Sequence, residues 1–183
     1  EGLNAGEMLT GGVKAAILLN NEPAFDSAIG AQDLRRCEMV VSLNPFMANM
    51  DIADVVLPIA PFTETSGSFV NAEGLLQSFH AVVKPVGDTR PAWKVLRVLG
   101  NLLGVAGMDF ESSQDVLANA TRSQVGVPAS QLSNSTKTNM AVSAPATQEP
   151  IVASIYQLDG IVRRAPALQM TADARQFAEV VAP

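Results

Sequence analysis

Three short apolar runs in the first third of the chain most constrain how it folds. They are residues 13–19 (VKAAILL), 39–43 (MVVSL) and 54–57 (DVVL). Runs of this length, bounded by Asn, Gly and Pro, are typical of the buried strands of a parallel sheet. Residues 25–36 have helical spacing, so a strand–helix–strand unit is predicted. We therefore expect an α/β fold with an open, mostly parallel Rossmann-like sheet and flanking helices.

The composition is that of a folded protein and argues against two classes of partner. The chain has 183 residues, of which 48% are hydrophobic and 16% charged, and its net charge is −6. The negative charge and the absence of a basic patch argue against nucleic acid. No run approaches the roughly 20 apolar residues of a bilayer-spanning helix, so no direct membrane insertion is expected. The first residues lack the pattern of a signal peptide, and the missing initial Met predicts a fragment or a processed chain.

The chain contains one cysteine and one histidine. Cys37 alone forms neither an internal disulfide nor a ligand set for an iron–sulfur cluster, and we expect it to be a small buried residue beside a strand. His80 lacks His or Cys partners for zinc and has no GxSxG motif for a serine-type triad, so a structural role is expected. No catalytic residue and no metal ligand is assigned.

A polar loop follows the third apolar run and is the strongest candidate for a site. Pro58 ends that run, and a segment with two glycines and several hydrogen-bonding side chains follows it. Ligands of open α/β sheets lie outside the carboxyl ends of the strands, where the loops 20–23, 43–46 and 58–74 are expected to meet. The loop matches neither GxGxxG nor GxxxxGK[ST], so it equally fits a rigid turn that shapes only itself. The candidate residues are Asn20, Glu64, Thr65, Asn71, Glu73 and Gly74.

The remainder of the chain predicts a domain, a linker and an extension. Residues 1–121 are expected to form the α/β domain, incomplete at its N-terminus, with a possible strand at 75–83. A helix capped by Asp88 or Thr89 and ended by Gly104 carries a core stripe of apolar residues (Trp93, Leu96, Leu99, Leu102 and Leu103). A weaker helix covers 112–120, with Ser113 as its cap.

The last third changes composition. Residues 122–150 are rich in Ser, Thr, Asn, Gln, Ala and Pro and predict a flexible linker. Residues 151–183 form the extension, in which 151–156 is expected to be a strand or extended arm and the second half of 167–181 to be helical. The pair Arg163–Arg164 is expected to be a solvated or salt-bridged feature of the surface.

Five segments, in this order and spacing, resemble the molybdopterin oxidoreductase superfamily. They are KAAILLNNEP, MVVSL, ADVVLP, TETSGSFVNAEGLLQ and PVGDTRPAWKVLRVLGNLLG, within residues 13–104. The tail IYQLDGIVRRAPALQMTADA resembles the C-terminus of one member, the large G subunit of bacterial NADH-quinone oxidoreductase (respiratory complex I). The sequence differs from the family pattern in two places. Residues 47–49 read Met-Ala-Asn where cofactor-bearing members carry Thr-Glu-Thr, and Leu75 stands where they carry Arg.

The resemblance implies a non-catalytic scaffold that supports electron transfer from NADH to quinone. No redox centre is expected in this segment, and iron–sulfur clusters are expected in an upstream part of the subunit. The candidate residues would then be remnants of a cofactor loop, because the departures remove groups that an anionic pterin dinucleotide needs. The implied partners are the other subunits of the respiratory complex, and the implied location is the cytoplasmic side, peripheral on the inner face of the bacterial membrane.

Two other functions remain open. The chain could be the pterin-binding half of a molybdenum enzyme such as a formate dehydrogenase, with the 58–74 loop contacting the cofactor. It could also be a free-standing α/β binding module without a redox role.

Overall fold

A computed structural model describes residues 3–10, 12–27, 32–122 and 154–175. The chain divides into two compact units, the first made of Glu1–Leu57 with Thr147–Pro183 and the second of Pro58–Ala146. Within the described residues, no helix has the length and apolarity needed to span a membrane. The two units are described separately below.

The first unit is built on a three-stranded sheet that confirms the predicted α/β class. Helix α1 (Ala5–Thr10) precedes β1 (Ala15–Leu19), β2 (Met39–Asn44) and β3 (Val55–Pro58), and the strands lie in the order β1-β2-β3. β1 and β2 are parallel, with Ala15 opposite Met39 and Leu19 opposite Leu43. The carboxyl ends of these two strands therefore lie at one edge of the sheet.

Burial is concentrated in the central strand. Val40 and Leu43 of β2 are fully buried, whereas Ile17 and Leu19 of β1 are about half exposed. The prediction that the first run is buried is therefore wrong for β1, because β1 lies at an edge of the described sheet and has neighbours on one side only. Cys37 is half-buried, and its thiol donates to the backbone oxygen of Val13 over 3.2 Å.

The single helix predicted at 25–36 is wrong. The structure has a short helix α2 (Pro23–Asp26) and a separate 3₁₀ turn (Gln32–Arg36), and residues 28–31 lie outside the described residues. Pro23 presets the helical φ angle at the first position of α2. Ser27 has extended backbone angles, φ −128° and ψ 135°, and so ends α2.

The second unit contains an antiparallel hairpin, whose second strand lies within the predicted strand at 75–83 and whose first strand lies where an irregular loop was expected. A 3₁₀ turn (Phe62–Glu64) leads into β4 (Gly67–Val70), which pairs with β5 (Leu76–Phe79). The rings of Phe69 and Phe79 stack with centroids 5.3 Å apart. A Cβ at position 67 would lie 2.7 Å from Phe79 Cζ, so a glycine is needed there.

Two helices complete the described second unit. In α3 (Ala92–Leu102), Pro91 precedes the first helical residue and no side chain caps the start, so the predicted cap at Asp88 or Thr89 is wrong. Leu102 and Leu103 are largely exposed, which limits the predicted core stripe to the half-buried residues before them. Helix α4 (Ser113–Ala120) is capped by Ser112, not Ser113, through a capping box with Asp115.

The C-terminal segment, residues 154–175, belongs to the first unit and is helical. It contains a 3₁₀ turn (Ile155–Gln157), α5 (Gly160–Arg163) and α6 (Pro166–Gln169), so a strand is wrong for the described part of 151–156. Asp159 caps α5 by accepting from two backbone N–H groups. The predicted linker from 123 onward, residues 151–153 and residues 176–181 lie outside the described residues.

Candidate functional site

The loops that follow β1 and β2 are tied together at the carboxyl edge of the first sheet, as the topology predicts. Asn20 has a left-handed φ of +47°, and its N–H donates to the backbone oxygen of Leu43 over 2.8 Å. Asn49, with φ +61°, donates from Nδ2 to Asn21 O at 2.8 Å and to Ser42 Oγ at 3.1 Å. Asn tolerates this conformation better than most residues, so both loops are fixed by asparagines.

A buried carboxylate lies at this edge and is paired with two arginines. Glu22, the residue before α2, accepts from Arg164 in a two-pronged contact, with Nη1–Oε1 at 2.8 Å and Nη2–Oε2 at 2.9 Å. Arg163 Nη2 lies 3.4 Å from Glu22 Oε1, and the side chains of Glu22 and Arg163 are each only 6% exposed. Burial raises the pKa of Glu22, but the hydrogen bonds and charges of Arg164 and Arg163 outweigh it and hold the pKa below its ordinary value.

Further groups complete the surroundings of each guanidinium. Arg163 Nη1 lies 3.1 Å from Asp26 Oδ1, and the Arg163 guanidinium is 4.7 Å from the centroid of the Phe25 ring. The Arg164 guanidinium is 4.5 Å from the centroid of the Phe46 ring. Each arginine thus contacts a carboxylate and an aromatic ring. We call Glu22, Phe25, Asp26 and Phe46 together the paired-arginine site.

The surface location predicted for Arg163–Arg164 is wrong for Arg163. The guanidinium of Arg163 is buried, and it also donates to the backbone oxygen of Gln157. Its Nε is buried without a hydrogen-bond partner. Sequence reasoning missed the pairing because Glu22 and Arg164 are 142 positions apart, and no local pattern joins them.

The predicted loop residues of the second unit mostly serve their own backbone. Asn71 Oδ1 accepts from the N–H groups of Glu73 and Leu75, both at 2.9 Å, and Gly74 has φ +79°. Asn71 therefore closes the turn between β4 and β5. The side chain of Glu73 is exposed. The hairpin belongs to a different unit from Asn20.

Glu64 and Thr65 lie elsewhere, at an open cavity of about 500 Å³. Glu64 Oε2 accepts from the N–H of Val86 at 3.0 Å, which attaches the 3₁₀ turn to the segment that follows β5. Thr65 Oγ1 donates to the backbone oxygen of Ser66 at 3.2 Å. The cavity lining also contains three cationic side chains and several hydroxyl groups: Lys84, Arg90, Lys94, Thr65, Ser66, Thr89 and Ser113.

Sequence reasoning missed the cations of this cavity. Lys84, Arg90 and Lys94 lie within eleven positions of one another, and that spacing was the available signal. Among the described residues that line the cavity, Glu64 is the one carboxylate, so this part of the lining carries three positive charges and one negative charge. We call Lys84, Arg90 and Lys94 the basic cavity residues.

A second cavity of about 320 Å³ lies against the hairpin. Ser68 and Ser78 share a hydrogen bond of 2.8 Å there, and the lining includes His80 and Trp93. His80 is exposed. Within the described residues, no three side chains of His, Cys, Asp or Glu lie close enough together to hold a metal ion.

Comparison with known proteins gives a family match over the first part of the chain. Residues 2–102 match the model of the family described as molybdopterin oxidoreductase. Similar curated proteins include those named putative formate dehydrogenase from Staphylococcus aureus strains USA300, NCTC 8325 and N315, each 33% identical over 102 residues. The alignments cover 55% of this chain and 10% of each relative, so the chain spans about a tenth of the length of these relatives.

Proposed function

Because the chain belongs to the molybdopterin oxidoreductase family, we propose that it is part of an oxidoreductase of the formate dehydrogenase type. Its second unit would contact the anionic part of a pterin dinucleotide. The names of the relatives favour this function over a scaffold of NADH-quinone oxidoreductase. The observation that carries the proposal is the excess of positive charge in the cavity beside Glu64 and Thr65.

The basic cavity residues have the chemistry that a diphosphate requires. Arg90 donates from Nη1 to the backbone oxygens of Gly87 and Thr89, and its other N–H groups would serve an anion. Lys84 and Lys94 offer mobile ammonium groups. Glu64 would act as a positioning residue, because it accepts from the N–H of Val86 and so holds the segment that carries Lys84 and Arg90.

The edge of the first sheet does not fit the same anionic group. Its carboxylate, Glu22, would repel a phosphate, and both guanidinium groups there already contact carboxylates. We therefore assign no cofactor contact to the first unit. When bound, a molybdenum–pterin group would supply the redox chemistry of formate oxidation. This chain would bind and orient the phosphates of that group.

The test is the cofactor content and activity of the purified full-length protein. We expect stoichiometric molybdenum or tungsten, extractable pterin, and formate-dependent reduction of an artificial electron acceptor. A protein free of both metals and of pterin would overturn the proposal, and so would a metal-containing protein that does not oxidise formate.

A second candidate is the non-catalytic scaffold of the G subunit of respiratory complex I. It is favoured by the C-terminal segment, because Arg163 and Arg164 of this same chain occupy the carboxyl edge of the first sheet by pairing with Glu22. The partners would then be other subunits of the complex, at the inner face of the membrane. Co-purification with NADH-dependent quinone reductase activity, in the absence of molybdenum and tungsten, is the result expected for this candidate.

A further inference from the structure

We propose that the paired-arginine site is a binding site for two adjacent arginines, and that the C-terminal segment is its ligand within the same chain. This inference does not rest on the proposed function, because no redox group takes part in it. The occupant is present in the structure as Arg163 and Arg164. The property proposed is that the segment is bound by recognition of its two guanidinium groups and stays bound when the chain connecting it is cut.

The geometry of the site selects guanidinium groups over other cations. Glu22 presents both carboxylate oxygens to two N–H groups of Arg164, which an ammonium group cannot match with the same planar fork. Phe46 and Phe25 lie against the two guanidinium groups, at 4.5 and 4.7 Å from the ring centroids. Arg prefers such contacts, since its flat cation stacks on an aromatic face.

The C-terminal segment is shaped to bring both arginines to this site. A Cβ at Gly160 would lie 2.9 Å from Glu22 Oε1, so glycine permits the close approach of α5. Gln169 Nε2 donates to the backbone oxygens of Tyr156 and Val162 at 2.9 and 2.8 Å. These bonds tie the turns of the segment into one folded piece, which presents Arg163 and Arg164 together.

The electrostatics make the site specific for cations. A buried ion pair adds little net stability compared with a well-packed apolar contact, because both charges lose water. The paired-arginine site nevertheless holds two carboxylates, Glu22 and Asp26, against two cations. Such a site accepts paired cations and rejects anions. The C-terminal segment therefore closes the carboxyl edge of the first sheet to phosphate-bearing ligands.

The test separates the segment from the rest of the chain. A protease recognition sequence is introduced between residues 122 and 154 of the full-length protein, which is then cut and passed over a sizing column at micromolar concentration. We expect the C-terminal fragment to co-elute with the remainder. Glu22→Gln is expected to raise the dissociation constant of the fragment at least about a hundredfold, because it removes the forked contact of Arg164 and one of the two carboxylates that face the buried Arg163.

Two variants distinguish guanidinium recognition from general charge or packing. Arg164→Lys keeps the charge and changes only the bound segment, and we expect about tenfold weaker retention from loss of the forked contact and the stacking. Glu38→Gln is the matched control, since the Lys14–Glu38 pair is 86% and 74% exposed, and it should leave retention within about twofold.

Three results would overturn the proposal. They are dissociation of the wild-type fragment, unchanged retention in the Arg164→Lys protein, and equal loss from Glu22→Gln and Glu38→Gln. If Glu22→Gln prevents folding, the Arg164→Lys result decides, because that change leaves the sheet untouched. Molybdenum content is not part of the readout, so failure here is distinguishable from failure of the proposed function.

Discussion

The paired-arginine site of the first unit and the basic cavity of the second have opposite charge. The first places Glu22 and Asp26 around two guanidinium groups of the same chain. The second places three cations around an open space of about 500 Å³, with Glu64 as the one carboxylate among the described lining residues. The first region therefore satisfies its charges internally, whereas the second leaves positive charge available to a ligand.

This difference shows why position in a fold does not by itself assign a binding site. Ligands of α/β sheets bind outside the carboxyl ends of the strands, and the loops after β1 and β2 lie there. Glu22 makes this edge unsuitable for an anion. The cavity beside Glu64 is suitable because of Lys84, Arg90 and Lys94, which lie on the segment that follows β5 and on α3. Side-chain chemistry, not topology, decides between the two regions.

The largest effect is expected from breaking the ion pairs of the paired-arginine site. Glu22→Gln should lower the free energy of unfolding by about 3 kcal/mol, because Arg164 loses its forked contact and the buried Arg163 keeps one of its two carboxylate neighbours, Asp26. Urea denaturation followed by circular dichroism measures this. Asp51→Asn, which removes the exposed Arg35–Asp51 pair, should cost less than about 0.5 kcal/mol. Equal losses of unfolding free energy in the two variants would contradict the conclusion that the buried pair contributes more than the exposed pair.

Low pH should weaken the contact of Glu22 with the two arginines. Since the folded-state pKa of Glu22 is held below its ordinary value of 4.5, its contribution is fully present above pH 4.5. That contribution is lost as the pH falls through the folded-state value. The stability difference between the wild type and Glu22→Gln should therefore shrink from pH 7 toward pH 3, as measured by denaturation at each pH. A constant difference would show that the charge of Glu22 is not the cause.

The charge of the second region is tested by its affinity for an anion. The double variant Arg90→Gln with Lys94→Gln should weaken binding of pyrophosphate about tenfold, because two of the three lining cations are removed. Isothermal titration of cofactor-free protein measures the affinity. Lys14→Gln removes one exposed charge from the first unit and should change it less than about twofold. A larger effect from Lys14→Gln would mean that overall charge, not the cavity, attracts the anion.

The smallest effect concerns the hairpin turn. Asn71→Ala removes the acceptor of two backbone N–H bonds, and hydrogen exchange at Leu75 should rise about fivefold. Pyrophosphate affinity should not change, since Asn71 does not line the basic cavity. Asn101→Ala, which removes a bond to Met108 O in the same unit, should leave exchange in the hairpin unaltered. Lost pyrophosphate binding in the Asn71 variant would instead assign it to the ligand site.

Sequence reasoning succeeded where structure depends on local patterns. The parallel pairing of β1 with β2 follows from two apolar runs separated by a crossover, and the glycine that follows α3, Gly104, has the expected left-handed φ of +70°. The first strand of the hairpin was missed because β4 begins with Gly67 and Ser68, residues more typical of a loop, and its stability comes from cross-strand contacts such as Phe69 with Phe79.

Long-range electrostatics could not be predicted. Nothing near Glu22 in the sequence indicates a buried ion pair, and Arg163–Arg164 resembles an ordinary surface pair until its partners are known. The basic cavity was within reach, because Lys84, Arg90 and Lys94 are close in sequence. The three side chains line one cavity only because the segment after β5 packs beside the start of α3. That packing is a tertiary property.

The separation of 142 positions between Glu22 and Arg164 has a consequence for biosynthesis. A ribosome that adds roughly 5–20 residues per second needs roughly 7–28 seconds to extend the chain from one residue to the other. During that interval the carboxylate of Glu22 is already synthesised while its counter-charge is not. The nascent sheet must keep that edge hydrated until Arg163 and Arg164 have been synthesised, and the arginines can then displace the water.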